Sequence, residues 1–424
     1  MLKKLTIRNF KAIQNMTINF TRLTALIGGN SCGKTTVLQA LDFIRSASMR
    51  EISEYLREKG WTFDQLRSQF NTNKNDSITF ISAFEFTINQ ESTPVEWTFI
   101  INQFDGQFEI KEKVINLKTK AVLYPPKNSD EDLMIAGDKN ACYSGSPSAV
   151  SSGIGDLAFE ASFLKYTQSI KNSPELSALK KYLLDTVCFG ILSPENIRGG
   201  DKNQFSNDIG LNGSSLAPFI HGLIDEQKSS LDRIVSTLIG FSVKINTIDL
   251  GGKIELYIEE EFEDGSTRIN KDHISDGLLR IISFAAISLQ KKIIPAPPTG
   301  RDSAPTKNGF TINAGKLEES AGVIMVDEIE NGINPYLTEG IHKLLSDITK
   351  KGGRQVVFTT HSPIVLDYIK PDNIIFLWKD HAGIVRCGKM FTKKRMKTLL
   401  EALNPGEVWV NLNTDEILDR MGGK

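Results

Sequence analysis

Gly28, Gly33, Lys34 and Thr35 follow the pattern glycine, four residues, glycine, lysine, threonine inside the stretch LIGGNSCGKTTVLQAL, Leu26 to Leu41. That spacing suits a phosphate cradle. The glycines let backbone N–H groups turn towards a β-phosphate, the lysine ammonium reaches the β- and γ-phosphates, and the threonine hydroxyl is a Mg²⁺ ligand. Asn30, Ser31 and Thr36 complete the candidate nucleotide contacts of the loop. A chance glycine-rich turn is the bland alternative. The strand ahead of the loop and the helix behind it are the context the motif requires.

A second group lies near residue 327. The apolar run VIMV ends in Asp327 and Glu328. Two adjacent carboxylates directly after a buried strand are costly without a cation. Asp327 is therefore the expected second Mg²⁺ residue, and Glu328 the expected base that polarises an attacking water. In VVFTTHSP, Thr360 and His361 end the next apolar strand, and His361 is placed to sense a γ-phosphate and hold the water. Ser275-Asp276-Gly277 opens a helix in HISDGLLRI, where free N–H groups and a hydroxyl make a second anion site. Taken alone, that stretch reads as an ordinary N-cap. With one cradle already present, it points instead to a nucleotide held by another subunit.

The elements that must carry these residues are legible from periodicity. LKKLTIRNF, MTINF and LTALIGG read as three short strands, and KTTVLQALDFIRSA as a helix. Residues 49 to about 70 are helical and amphipathic. SITFISAFEFTI, VEWTFIINQ, QFEIKEKVINL and KAVLY alternate like antiparallel strands. From Pro125 to about Gly155 the composition is that of a long loop, and helical periodicity returns in DLAFEASFLKYTQSI and PELSALKKYLLDTV. The apolar strand VCFGIL, a helix near Glu226 to Leu238 and a ribbon formed by KINTIDL and KIELYIEEEF come next. PAPPTGRDSAPTKNG reads as a surface loop. The last third alternates strand and helix, which argues for a parallel sheet with crossovers.

Bulk properties set limits. The 424 residues are 40% hydrophobic, which is ample for one large domain or two to three ordinary ones. Lys and Arg total 50 against 51 Asp and Glu, so no global field draws the chain to nucleic acid. Cys32, Cys142, Cys188 and Cys387 lack metal-ligand spacing and read as reduced thiols of a cytoplasmic protein. No apolar run approaches a membrane span, and the opening alternates like a strand, unlike a signal peptide.

Taken in order, LTIRNFKAI…LTALIGGNSCGKTTVLQAL, ILSPENIR…NGSSLAPFI, HISDGLLRIISF, VIMVDEIENGINP and FTTHSP resemble the ABC-type ATPase heads of chromosome-maintenance and DNA-repair proteins. They are more closely similar to stand-alone anti-phage ATPases and to those of the "overcoming lysogenization defect" group. The resemblance implies an α/β P-loop NTPase with a mixed or parallel sheet core, an antiparallel β subdomain and a helical insertion. It implies one discontinuous head: 1–124 carrying the Walker A loop and antiparallel strands, 125–188 the loop and helical insertion, and 189–424 the signature, acidic strand and histidine with a short basic tail. It further implies ATP and Mg²⁺ as ligands and a homodimer or higher oligomer with ATP between the heads. In that dimer Ser275 and Gly277 close over the partner subunit's ATP, and Asn331 to Pro335 join the two sites.

The sequence departs from the group in three places. The signature reads Ser-Asp-Gly where transporters have Ser-Gly-Gly. SPENIR replaces the metal-sensing glutamine, leaving Glu195 or Arg198 for that role. Asn334-Pro335 stands where His-Pro is common. The group's nuclease half follows its ATPase, and about sixty residues follow His361 here. A separate effector protein, a nuclease, is therefore the expected partner in anti-phage defence. Lys389, Lys393, Lys394, Arg395 and Lys397 fit a solvated helix face or a contact to DNA or an acidic partner. The alternatives are a DNA-repair ATPase that clamps DNA without a toxic effector and, less favoured, the ATPase subunit of a transporter. A small-molecule kinase leaves Ser275-Asp276-Gly277 unexplained.

Overall fold

A computed structural model describes residues 1–70, 76–104, 106–124, 134–136, 160–166, 173–189, 194–199, 209–210, 213–289, 322–351 and 353–421. The expected surface loop at 295–309 lies outside these residues. So does the expected loop at 125–155, apart from the short strand Met134–Ala136. Two compact units emerge. The first is Met1–Cys188, Gly322–Ile329 and Gln355–Lys424, and the second is Phe189–Ala321 and Glu330–Arg354. Among the described residues no helix is long and apolar enough to cross a membrane.

The first unit holds two sheets. One is antiparallel and runs Ile13–Asn19, Leu2–Phe10, Ile78–Ile88, Glu91–Phe104, Gln107–Asn116, Val122–Tyr124, with Met134–Ala136 also pairing to Gln107–Asn116. Ile78–Ile88 alternates buried and half-buried positions because one face meets the core, as its period of two foretells. The other sheet is mostly parallel. Leu23–Gly28 lies between Gln355–Thr359 and Ile374–Lys379, and Val323–Val326 pairs with the far side of Gln355–Thr359. These central strands are buried at every position from 23 to 28, 323 to 326 and 355 to 359, which is why they read as unbroken apolar runs.

Thr24, Gln355 and Thr359 are the polar exceptions, and Gln355 is fully used. Its Nε2 donates to the carbonyls of Leu2 (2.9 Å) and Thr21 (2.7 Å), and its Oε1 accepts from Leu2 N (3.1 Å) and Tyr182 OH (2.6 Å). Tyr182 belongs to the helix Pro174–Asp185, whose Leu176, Leu179, Tyr182 and Leu183 join the same core as both sheets. This helix is built into the first unit.

Glu112 fastens the 160–166 segment from the strand Gln107–Asn116. It is 2% exposed and accepts from Trp97 Nε1 (3.0 Å), Ser162 Oγ (2.7 Å) and Phe163 N (2.8 Å). Burial outweighs these donors and raises its pKa from 4.5 to about 7. The folded state thus holds a proton the unfolded chain has lost across that window. Stability from this group is full below about pH 4.5 and falls as pH rises through about 7. Glu112→Gln removes the titration. Between pH 4.5 and 8 the parent should lose about 3 kcal/mol more than the variant, read by denaturant unfolding at each pH. Parallel pH profiles for the two proteins would show that Glu112 does not titrate in this window.

The second unit combines the helices Leu216–His221, Asp225–Ile239, Asp276–Leu289 and Thr338–Lys351 with an antiparallel sheet of Val243–Asp249, Ile254–Phe262 and Gly265–Asn270. The first two of these strands match the ribbon expected from KINTIDL and KIELYIEEEF, and the third is not foretold by the sequence. Gly265–Asn270 is almost entirely exposed, so it lacks the apolar alternation that marks a strand. Helix Asp276–Leu289 is buried from Leu278 to Ile287 and packs on Asp225–Ile239 and Thr338–Lys351.

Candidate nucleotide-binding site

The phosphate loop is shaped by backbone geometry that few residue types tolerate. Gly28, Ser31 and Gly33 have φ of 145°, 60° and 92°. A Cβ at Gly28 would stand 2.1 Å from the Leu377 carbonyl oxygen of the neighbouring strand, so the tight pairing there requires glycine. Gly33 opens the helix Lys34–Ala47, which has no side-chain cap and no acidic residue in its first turn. Its N-terminal N–H groups therefore keep their affinity for an anion. Asn30, Ser31 and Thr35 are exposed, Thr36 is half-buried and Lys34 is 7% exposed. The Lys34 ammonium sits on the loop, donating to the carbonyls of Gly28 (3.0 Å) and Gly29 (2.9 Å). Cys32 is a structural thiol whose Sγ donates to the Gly29 carbonyl (2.9 Å), and burial raises its pKa.

The acidic strand meets the loop at Asp327. Its Oδ1 accepts from Thr35 Oγ1 (3.3 Å) and from Thr359 Oγ1 (2.5 Å). Thr359 was not singled out in the sequence. Its hydroxyl also accepts from Glu328 N (2.8 Å), and its carbonyl accepts from Ile329 N (3.2 Å). One buried threonine on the strand between loop and acidic pair thus orients both carboxylate residues. The paired threonines closing VVFTTHSP were the available signal, since a polar pair at a buried strand end must have partners. Glu328 adopts φ 47°, an uncommon value for a non-glycine residue that costs of order 1 kcal/mol and needs a restraint such as the Thr359 bond. His361 is exposed at the end of the same strand, just before Ser362, whose Oγ accepts from Val365 N (3.4 Å) to cap the helix Pro363–Asp367. The oxygen-only set of Thr35 hydroxyl and Asp327 carboxylate suits a hard cation such as Mg²⁺.

Ser275 and Gly277 belong to the second unit. Ser275 is exposed, and its Oγ accepts from Leu278 N (3.3 Å). A Cβ at Gly277 would stand 3.0 Å from the Gly332 carbonyl oxygen, and Arg280 of the same helix donates to the Asn331 carbonyl. The glycine of Ser-Asp-Gly thus admits the backbone of the loop that follows the acidic strand. Asn334 caps that loop locally, its Oδ1 accepting from Tyr336 N (3.1 Å). Arg198, weighed above for metal sensing, directs its guanidinium to Lys271 O, Ile274 O and Asp276 of the signature turn, while Glu195 is exposed.

A phosphate loop and an acidic strand, separated by one strand of a parallel sheet, define a P-loop ATPase fold. Two family models match successive parts of the chain: "AAA ATPase domain" over residues 1–181 and "AAA domain, putative AbiEii toxin, Type IV TA system" over residues 196–367. OLD nuclease from Thermus scotoductus is 19% identical over 398 residues, covering 90% of this chain and 62% of its own length. The chain thus spans less than two thirds of that relative. An SMC head solved bound to the C-winged helix domain of ScpA is 14% identical with TM-score 0.54, covering 93% of this chain and 99% of its own. Each family model covers less than half of the chain and both describe AAA-type ATPase domains, while the likeness to the SMC head is one of fold.

Proposed function

We propose that the chain hydrolyses ATP with Mg²⁺ in a head-to-head dimer, and that pairing regulates a separate effector, a nuclease, in cytoplasmic anti-phage defence. The observation that carries the reading is Asp327 Oδ1, which meets the Thr35 hydroxyl of the phosphate loop and the Thr359 hydroxyl of the intervening strand. The N–H groups of the Gly28–Gly33 loop and Lys34 bind the β- and γ-phosphates. Thr35 and Asp327 hold Mg²⁺, which when bound offsets phosphate charge. Glu328 takes the proton of the attacking water, and His361 orients that water against the γ-phosphate. Ser275 and Gly277 complete the site on the ATP of the partner subunit, and Asn331 to Pro335 link the two sites. The effector rests on the resemblance to OLD nuclease alone.

A second reading, a DNA-clamping repair ATPase, draws on the exposed Lys393, Lys394, Arg395 and Lys397. Arg395 among them is 3.7 Å from Asp419.

The test is ATP turnover by the purified protein. Hydrolysis is expected with Mg²⁺, and its loss on chelation. Lys34→Ala should weaken ATP binding at least about a hundredfold, because it removes the ammonium facing two phosphates. Unchanged nucleotide affinity in that variant would remove the cradle assignment. Turnover raised by DNA and indifferent to a nuclease would favour the second reading.

A further inference from the structure

The signature turn carries a charge that its proposed task does not want. Asp276 follows Ser275 directly, and its carboxylate is 61% exposed at the start of the helix Asp276–Leu289. A triphosphate closing on Ser275 would meet that negative charge at short range, and like charges a few ångströms apart repel.

The structure places a counter-charge there from a separate segment. Arg198, in the short helix Pro194–Gly199, sends Nη2 to Asp276 Oδ1 (2.5 Å) and to the Ile274 carbonyl (2.7 Å). Its Nε donates to the Lys271 carbonyl (3.3 Å). One guanidinium nitrogen therefore holds the residues on both sides of Ser275, while Ser275 itself stays exposed. The planar fork of arginine lets Nε bond the Lys271 carbonyl at the same time, which the single nitrogen of lysine cannot match in that fixed plane.

We propose that Arg198 is the positioning residue of the signature turn, fixing the backbone around Ser275 and cancelling the Asp276 charge so that a Ser-Asp-Gly turn accepts the triphosphate of a second copy of the chain. This assignment rests on the reading that Ser275 acts on the partner's ATP. It gives the Ser-Asp-Gly departure a physical reason: aspartate is tolerated at 276 because an arginine at 198 pairs with it, and the pair replaces the flexibility of a second glycine with a fixed geometry.

The experiment compares Arg198→Met, Asp276→Gly, the double variant and Ser275→Arg in the full chain. Three quantities are read: ATP affinity of the monomer, ATP-driven dimerisation by sedimentation, and turnover. Arg198→Met should leave monomer affinity within about twofold, because the cradle lies elsewhere in the chain. It should weaken pairing and turnover by about tenfold, since it leaves a bare carboxylate facing phosphate. Asp276→Gly in the Arg198→Met background should restore both to within about threefold of the parent, because the repelling charge is gone. Recovery on deleting a second side chain is not what a purely structural role predicts, as each loss would then add to the other. Thermal unfolding checks that each variant folds, and Arg198→Gln takes the place of Arg198→Met if the latter does not.

A double variant no better than Arg198→Met, or an Arg198→Met protein equal to the parent, would overturn the assignment. If Ser275→Arg itself pairs and turns over like the parent, the failure belongs to the trans reading of Ser275 instead.

Discussion

Glu328→Gln should bind ATP normally and lose at least about a hundredfold of its turnover, the scale of general base catalysis. Glutamine keeps the size of the side chain and cannot accept the proton of water. The backbone around it should not change. The residue at 328 is held at φ 47° by the bond from its own N–H to Thr359 Oγ1, and the side chain takes no part in that bond. Asp327 keeps its bonds to Thr35 and Thr359, so the pair proposed to hold Mg²⁺ survives. With hydrolysis stopped and binding intact, the variant should accumulate as an ATP-bound dimer, visible by sedimentation or light scattering. Parental turnover would mean that Glu328 is not the base, and His361, exposed at the end of the neighbouring strand, would be the next residue to replace.

Ser275→Arg should leave ATP binding to the monomer nearly intact and abolish ATP-driven pairing. The cradle and Ser275 belong to different units of the chain, and the substitution alters no residue of the cradle. Loss of the Oγ cap on Leu278 N costs about 1 kcal/mol, too little to unfold a helix buried from Leu278 to Ile287. A bulky cation replaces a small hydroxyl on the surface proposed to meet the second copy, and turnover should fall with pairing. Mixing Ser275→Arg with Lys34→Ala chains gives dimers with one composite site bearing both defects and one bearing neither. Each mixed dimer should recover up to about half the parental rate if the sites act independently. The fatal result is normal hydrolysis by Ser275→Arg alone. The turn would then be an ordinary N-cap, and the case for action on a partner's nucleotide would lose its main support.

The phosphate loop was legible because its chemistry is local. The glycines, Lys34 and Thr35 lie within one strand, loop and helix, so their spacing is readable along the chain, although the Leu377 carbonyl that crowds Gly28 is not. Asp327 and Glu328 were legible because a carboxylate pair ending an apolar run is costly without a cation. Thr359 was not legible. Its role arises from strand order, in which Gln355–Thr359 lies between Leu23–Gly28 and Val323–Val326, and no local pattern reports which strands become neighbours. Arg198 was noticed and weighed for a role at the metal, because a sequence shows that an arginine is present and not which carbonyls its fork will meet.

The sequence by itself determined most of the elements, the phosphate-loop pattern and the residues proposed to hold ATP and a hard cation, since these follow from periodicity and from spacing within single elements. Tertiary structure alone decided that Gly322–Ile329 and Gln355–Lys424 fold with the N-terminal 188 residues, that Thr359 locks both carboxylate residues, and that Arg198 grips the turn around Ser275. Those are contacts between positions tens to hundreds of residues apart. Strand pairing and side-chain reach across the fold select them, and no local propensity encodes that selection.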